Sequence, residues 1–383
     1  MRTEKTYWAI PKSDRCGVSD KRLEIRKDNN FALRWRPLST GCQAFHPPPK
    51  RRFPWILLAV VLFCLWFIWG SLVPQLPQPN EPPSLYSNQC QQDLHSTLLA
   101  AIQGARSSIR LVMFGLSDTS ILGALSQKIK TQVPTTIYYD TGGSPKVFKY
   151  LRGGDIHPVK NAGLMHQKIM VIDKEMVFIG SANMTPTSLR MHDNLIVGLM
   201  SRTVARFLEE HEPYAPGYLK TAVGGQEIEL WLLPDPRGHA ITELRKNIRG
   251  AKRSIRIALF TFTHPGLVEE VIDAHNRGVK VTIVVDLHSG TGASSKTVEK
   301  LKKAGVPIFL SQGIQLLHHK FIYIDEQTLV TGSANWTKSA FYKNSDCILT
   351  LHRLNDEQKR FMTKSFLRKP LSMTKLKKKS SKF

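Results

Sequence analysis

The sequence predicts an α/β protein made of two homologous α-β-α sandwich halves packed about a pseudo-twofold axis, with one transmembrane helix ahead of them. Three observations predict it. A motif occurs twice, at Met165–Thr185 and Leu317–Thr337, with an offset of 152. Apolar runs that suit strands alternate with segments of helix length. An uncharged apolar stretch, Trp55–Val73, stands before both copies.

The elements follow in chain order. Residues 1–54 hold 13 Lys/Arg against 5 Asp/Glu and are expected to be a basic, disordered cytoplasmic segment. "WILLAVVLFCLWFIWGSLV", 55–73, has 19 residues without a charge, enough for a membrane-spanning helix. Lys50, Arg51 and Arg52 precede it, and no Lys or Arg follows until Arg106. The positive-inside rule then leaves the N-terminus in the cytoplasm and the remainder on the far side, periplasmic or extracellular in a bacterium, or secreted if the segment is cleaved. N-x-S/T sequons occur at Asn183 and Asn335, inside the repeated motif, which points to a bacterial rather than a lumenal eukaryotic source. "PQLPQPNEPPS", 74–84, is a semi-rigid spacer.

Two halves follow, 85–220 and 221–370, and then a basic tail, 371–383. "AIQGARSSIRLVMF" (101–114) matches "NIRGAKRSIRIALF" (247–260), and the strands ending at Asp140 and Asp286 match, all at an offset of 146. Six extra residues in the second half lie before the motif, where "SGTGASSKTVEKLKKAG" has a helix that "TGGSPKVFKYLRGG" shortens. Each half reads β-α-β-α-β-α-β-β-α, a mixed sheet covered on both faces. The five cysteines show neither zinc spacing nor a disulfide framework; a Cys90–Cys347 pair is the one pairing the halves would allow.

Aligned on Lys168 and Lys320, the motif copies share H-x-K-x4-D and G-S-x-N. His166 matches His318, whereas His319 falls opposite Gln167 and is expected to have no chemical role. On a strand, residues i and i+2 face the same way, so each His shares a face with its Lys. Asp173 and Asp325 lie on the opposite face and are expected to hold the hairpin. Ser181, Asn183, Ser333 and Asn335 offer polar groups beside a helix start, with Thr185 and Thr337 as caps. Cleaving a phosphodiester takes a nucleophile on one side of phosphorus and a proton donor on the other. One half supplies a single His, so the duplication makes chemical sense if both copies serve one site, for which a monomer suffices.

The doubled motif with its GSxN extensions resembles the phospholipase D superfamily over 85–370. The resemblance implies metal-independent, cofactor-free phosphoryl transfer through a phosphohistidine. It implies that His166 and His318 are nucleophile and general acid, with His166 favoured as nucleophile. Lys168, Lys320, Asn183 and Asn335 would hold the phosphate oxygens, assisted by Ser181 and Ser333. A carboxylate after GSxN would orient each histidine, and Asp193 and Asp346 fit that place. The substrate is expected to be a phospholipid, hydrolysed or transferred as in cardiolipin synthases. A nuclease of the same superfamily is the alternative that the net charge of +24 supports. A third reading is non-enzymatic, in which the basic ends bind anionic lipid or a partner.

Overall fold

The computed structural model describes residues 55–72, 74–90, 92–145, 147–160, 163–311, 315–367 and 373–374. The basic segment 1–54 and most of the tail 371–383 lie outside the described residues. The chain divides into two units, 1–62 and 63–383. Helix α1, Trp55–Leu72, carries no charged residue, and Trp55, Ile56, Leu57, Phe63 and Trp66 are among its exposed side chains. No helix among the described residues is long and apolar enough to cross a membrane. The expected spanning helix is therefore not borne out.

The first half runs β1 (Ser84–Tyr86), α2 (Leu94–Gly104), β2 (Ile109–Met113), α3 (Thr119–Lys130), β3 (Thr135–Asp140), α4 (Val147–Tyr150), β4 (Asp155–Val159), β5 (Lys168–Ile172), β6 (Met176–Gly180), α5 (Pro186–Arg190), β7 (Ile196–Met200) and α6 (Arg202–Glu210). The second runs β8 (Gly217–Val223), β9 (Gln226–Leu232), α7 (His239–Gly250), β10 (Ser254–Leu259), α8 (Pro265–Asn276), β11 (Lys280–Val285), α9 (Leu287–Thr291), α10 (Ser295–Lys303), β12 (Ile308–Ser311), β13 (Lys320–Ile324), β14 (Thr328–Gly332), α11 (Lys338–Tyr342), β15 (Cys347–Leu351), α12 (Asp356–Leu367) and β16 (Met373–Thr374). The expected order has five strands per half and misses β4 and β7 in the first and β12 and β15 in the second. The second sheet begins with β8 at Gly217, ahead of the expected boundary at 221.

Strand order is β1-β7-β6-β5-β2-β3-β4 in one sheet and β16-β12-β11-β10-β13-β14-β15-β9-β8 in the other. Without β8 and β16 the two orders are the same, with β9 in the place of β1. The pattern is mixed: β2, β3 and β4 are parallel, while β5 pairs antiparallel with both β2 and β6. The motif strands β5 and β13 lie mid-sheet and are buried at every position.

Their two faces enter different cores, as the period of two requires. Met170 and Ile172 join the core under α2 and α3, and Ile322 and Ile324 the one under α7 and α8. Ile169 and Val171 meet Phe321 and Tyr323 in a third core, which residues from both sheets form and α6 and α12 close. The layers are thus helices, sheet, sheet, helices. The inner face of each sheet is covered by the other half, where the sandwich expectation had a complete helical layer. A half on its own would expose that apolar face to water.

Both motif hairpins turn the same way. Asp173 and Lys174 have φ of 54° and 57°, and Asp325 and Glu326 have 51° and 60°. Left-handed backbone at two successive residues matches the twist of a hairpin. Asp tolerates it, and each aspartate is further held by the segment entering β2 or β10. Asp173 accepts from the backbone N–H of Arg106, Ser107 and Ser108, and Asp325 from Lys252, Arg253 and Ser254. These bonds hold each carboxyl below its usual range against the opposing push of partial burial. Asp325→Ala is expected to lower stability by about 2 kcal/mol and leave kcat per folded molecule unchanged. Urea unfolding with an active-site titration checks it; an equal loss of kcat would show that Asp325 reaches the chemistry. Cys90 and Cys347, the only pair the halves would allow, are separate buried thiols.

Candidate functional site

The two motif histidines stand just before β5 and β13, and the opposite half fixes the backbone of each. Met165 bridges to Ser345, and Asp193 bridges to Leu317. His166 N–H donates to Ser345 O at 2.7 Å, and His318 N–H to Asp193 O at 2.9 Å. The matched strand-end aspartates brace these segments: Asp140 Oδ2 accepts from Met165 N–H at 3.2 Å and Asp286 Oδ2 from Leu317 N–H at 3.0 Å. Asp286 also caps α9 through its other oxygen, and Asp140 closes a turn onto Gly142 and Gly143.

Each histidine is oriented across the pseudo-twofold. His166 Nδ1 lies 2.8 Å from Asp346 Oδ1, and His318 Nδ1 lies 3.0 Å from Asn194 Oδ1. Asp193, expected to orient a histidine, gives that role to its neighbour Asn194: its backbone carbonyl meets His318 N–H, and the next side chain reaches the ring. The same 152 offset that pairs the motifs pairs Asp346 with Asn194 and Ser345 with Asp193. That count, continued past GSxN, matches Asn194 to Asp346, but does not say which of residues 193 and 194 reaches the ring.

The GSxN serines are also placed differently from the expectation that they assist phosphate. Ser333 Oγ donates to Asp346 Oδ1 at 2.6 Å, and Ser181 Oγ donates to Asn194 Oδ1 at 2.8 Å. Each hydroxyl oxygen accepts in turn from Cys347 or Leu195 N–H, both at 3.0 Å. Both serines are fully buried and position the group that orients the histidine. The preceding glycines permit this closeness: a Cβ on Gly180 would collide with the Leu195 carbonyl, and one on Gly332 with the Cys347 carbonyl.

Lys168 and Lys320 reach back to their own motif. Lys168 Nζ donates to His166 O at 2.6 Å, and Lys320 Nζ donates to His318 O at 2.8 Å. A phenylalanine flanks each pair. Phe114 lies 5.1 Å from Lys168 Nζ and 5.2 Å from the His166 ring; Phe260 lies 5.2 Å from Lys320 Nζ and 5.3 Å from the His318 ring. These rings close the matched apolar runs of the repeat, which is the signal that could have found them. Asn183 Oδ1 accepts from Gly115 N–H at 3.2 Å. Asn335 Oδ1 is buried without a partner among the described residues. His319 is wholly buried, with Nε2 2.9 Å from Gln89 Oε1.

Burial and mutual repulsion set the charges. Burial pulls Lys168 down to about 7, against the attraction of Asp346, and takes Lys320 well below the usual lysine range, with Lys168 adding repulsion. Burial and Lys168 lower His166, while Asp346 pulls it back up. Burial, both lysines, His166 and His192 take His318 well below the usual histidine range. Two imidazoles and two reluctant cations that act on one another suit a single anionic tetrahedral group: it would recharge the lysines, and one ring could attack as the other gives a proton.

Among the described residues, one three-residue group could ligate a metal: Glu227, Glu229 and His352, away from the motifs. Lys220 Nζ already lies 3.0 Å from Glu227 and 3.5 Å from Glu229.

The sequence model of the family described as "Cardiolipin synthase, PLD-like domain" matches residues 98–211 and 244–367, once in each half. Mitochondrial cardiolipin hydrolase of Xenopus laevis is 34% identical over 110 residues, which is 29% of this chain and 52% of that protein. The Homo sapiens protein of the same name is 33% identical over 134 residues, 35% of this chain and 52% of that one. The chain thus spans about half the length of the curated relatives it matches. The expected bacterial source finds no support in them. Among solved structures, phosphatidylserine synthase of Haemophilus influenzae Rd KW20 shares the fold, with a TM-score of 0.63 over 80% of this chain and 90% of that one, at 12% identity. Nuc of Salmonella typhimurium, titled a phospholipase D family member, is 28% identical with a TM-score of 0.36, over 39% of this chain and 97% of that one.

Proposed function

The chain belongs to the phospholipase D-like family described as cardiolipin synthase, PLD-like domain, and from that premise we propose that it is a phosphodiesterase that cleaves or transfers the headgroup of a phospholipid. One observation carries this: the opposite half orients each motif histidine, so both rings and both lysines serve one site on one chain. One imidazole Nε2 attacks phosphorus and forms a phosphohistidine as the P–O bond breaks. The other protonates the departing oxygen, then takes a proton from water or an acceptor alcohol that displaces the histidine. Lys168 and Lys320 hold the phosphoryl oxygens, with Asn183 and Asn335 at the edge.

Lipid is favoured over nucleic acid as substrate. The curated relatives are named for cardiolipin hydrolysis. The apolar side chains of α1 are exposed, which suits attachment to a lipid surface. Much of the net charge lies in the two ends, with 13 Lys/Arg against 5 Asp/Glu in residues 1–54 and a lysine-rich tail. Those ends suit the anionic face of the same membrane.

The test presents phosphatidylcholine, cardiolipin and single-stranded DNA to the full chain in EDTA, with His166→Ala beside it. The expected result is lipid cleavage that EDTA spares and the variant loses. DNA cleavage lost in the variant, without lipid cleavage, would make the protein a nuclease. Binding to anionic vesicles with no turnover of any substrate would favour the non-enzymatic reading. Deletion of 55–73 is expected to abolish flotation with neutral vesicles; unchanged flotation would refute attachment through α1.

A further inference from the structure

The two halves differ at one position that bears on the chemistry, and we propose that Asn194 makes His318 the nucleophile and leaves His166, paired with Asp346, as the general acid. The assignment rests on the phosphodiesterase reading above, and it reverses the preference for His166 that family resemblance suggests.

The argument starts from hydrogen-bond inventory. Asn194 Nδ2 donates to Ser188 O at 2.9 Å and lies 3.2 Å from Ser188 Oγ. That fixes which end of the amide faces His318: the oxygen, which can only accept. It already accepts from Ser181 Oγ, so His318 Nδ1 must carry the hydrogen in their 3.0 Å contact. A neutral His318 then has one tautomer, with the Nε2 lone pair free. Ser188 Oγ adds a second acceptor that Ala340, at the matching place of the second half, does not have, and Asn194 is wholly buried. Asp346 has no such donor to place, and its Oδ2 has no hydrogen-bond partner among the described residues.

Charge separates the rings in the same sense. A general acid must hold a proton before the reaction, and a nucleophile must not. The groups that act on His318 are Lys320, Lys168, His166 and His192, all cationic when charged, and its orienting partner is neutral. Burial and Lys168 lower His166 as well, but its buried carboxylate at 2.8 Å pulls it back up, a pull that His318 does not have. In the first step His318 Nε2 bonds to phosphorus, the P–O bond breaks, and the His166 Nε2 proton goes to the leaving oxygen. In the second, water gives a proton to His166 Nε2 as its oxygen displaces His318. The cycle restores both rings and needs no other reactant.

Bis(p-nitrophenyl) phosphate tests this, because p-nitrophenolate leaves without a proton. Folded His166→Ala, checked by thermal melting, is expected to release one equivalent of p-nitrophenolate per chain and stall, with mass spectrometry placing the phosphoryl ester on His318. His318→Ala is expected to give no burst. A burst from His318→Ala with the ester on the 166 side, or a folded His166→Ala without a burst while wild type turns over, would overturn the assignment. No turnover by wild type of this or any phosphodiester would remove the phosphodiesterase reading itself.

Asn194 is a positioning residue, and a pH profile reads its role. Asn194→Asp puts a carboxylate on the nucleophile and favours its protonated form. The acidic limb of kcat/KM is expected to move up by about one pH unit, with the rate recovering at high pH. A uniform loss at every pH would reduce Asn194 to a packing role and count against the proposal.

Discussion

Asp346→Asn is expected to lower kcat on an alkyl phosphodiester by about 10³- to 10⁴-fold, the scale of removing the carboxylate from a His–carboxylate pair. The residue is wholly buried, and burial alone would raise its pKa. The His166 charge and hydrogen bond, with Lys168 and Ser333, outweigh that and hold it below the usual carboxylate range. Asp346 is therefore the fixed negative charge beside His166, and its loss leaves that ring among cations with nothing to keep a proton on it. The fold tolerates an amide in this setting, because the Ser181–Asn194–His318 chain is the same arrangement in the other half. The amide nitrogen would there have only the counterpart of the Ser188 carbonyl and not that of its hydroxyl, since Ala340 replaces Ser188, which costs about 1 kcal/mol of stability. Asp346→Asn with Ala340→Ser is expected to recover stability but not kcat. Hydrolysis of the p-nitrophenyl ester in the first half-reaction is expected to stay within about tenfold of wild type, since no proton is needed. Equal loss on both leaving groups, measured by stopped flow, would show that Asp346 serves more than proton delivery.

Lys168→Met is expected to remove activity and strengthen the fold at once. Loss of one preorganised contact to a phosphoryl oxygen costs about 10²- to 10³-fold in kcat. The ammonium is also a burden on the empty protein: burial brings it to about 7 against the pull of Asp346, Cys347 and Asp140. A methionine of similar volume fills the space without that penalty, so Tm is expected to rise by about 2–6 °C. The pH dependence has a definite sign. The folded pKa lies below the lysine value of 10.5, so between pH 7 and 10.5 the unfolded chain holds a proton that the folded chain has released. Wild-type stability therefore climbs through that window on account of this group, and the climb flattens in the variant. A variant that melts lower at pH 7, or keeps the wild-type slope, would show that Lys168 is compensated in the fold by something beyond the contacts described.

The repeat, the strand periodicity and the H-x-K spacing are local or evenly spaced, so they were legible in the residues. The offset of 152 located His166, Lys168, His318 and Lys320, and the alternation of strand-like and helix-length segments in each half pointed to the mixed sheets. Three features were not legible. The apolar stretch 55–73 was legible as an uncharged helix, but what its exposed side chains meet was not. The inner face of each sheet is buried by the other sheet, because apolar residues on both faces state that a strand is covered and not what covers it. The choice of Asn194 over Asp193 lay with the tertiary structure. Adjacent residues in extended chain point to opposite sides, so the 193 carbonyl meets His318 N–H while the 194 side chain reaches the ring. That choice depends on a contact between segments more than a hundred residues apart, and only the packing of one half against the other sets it.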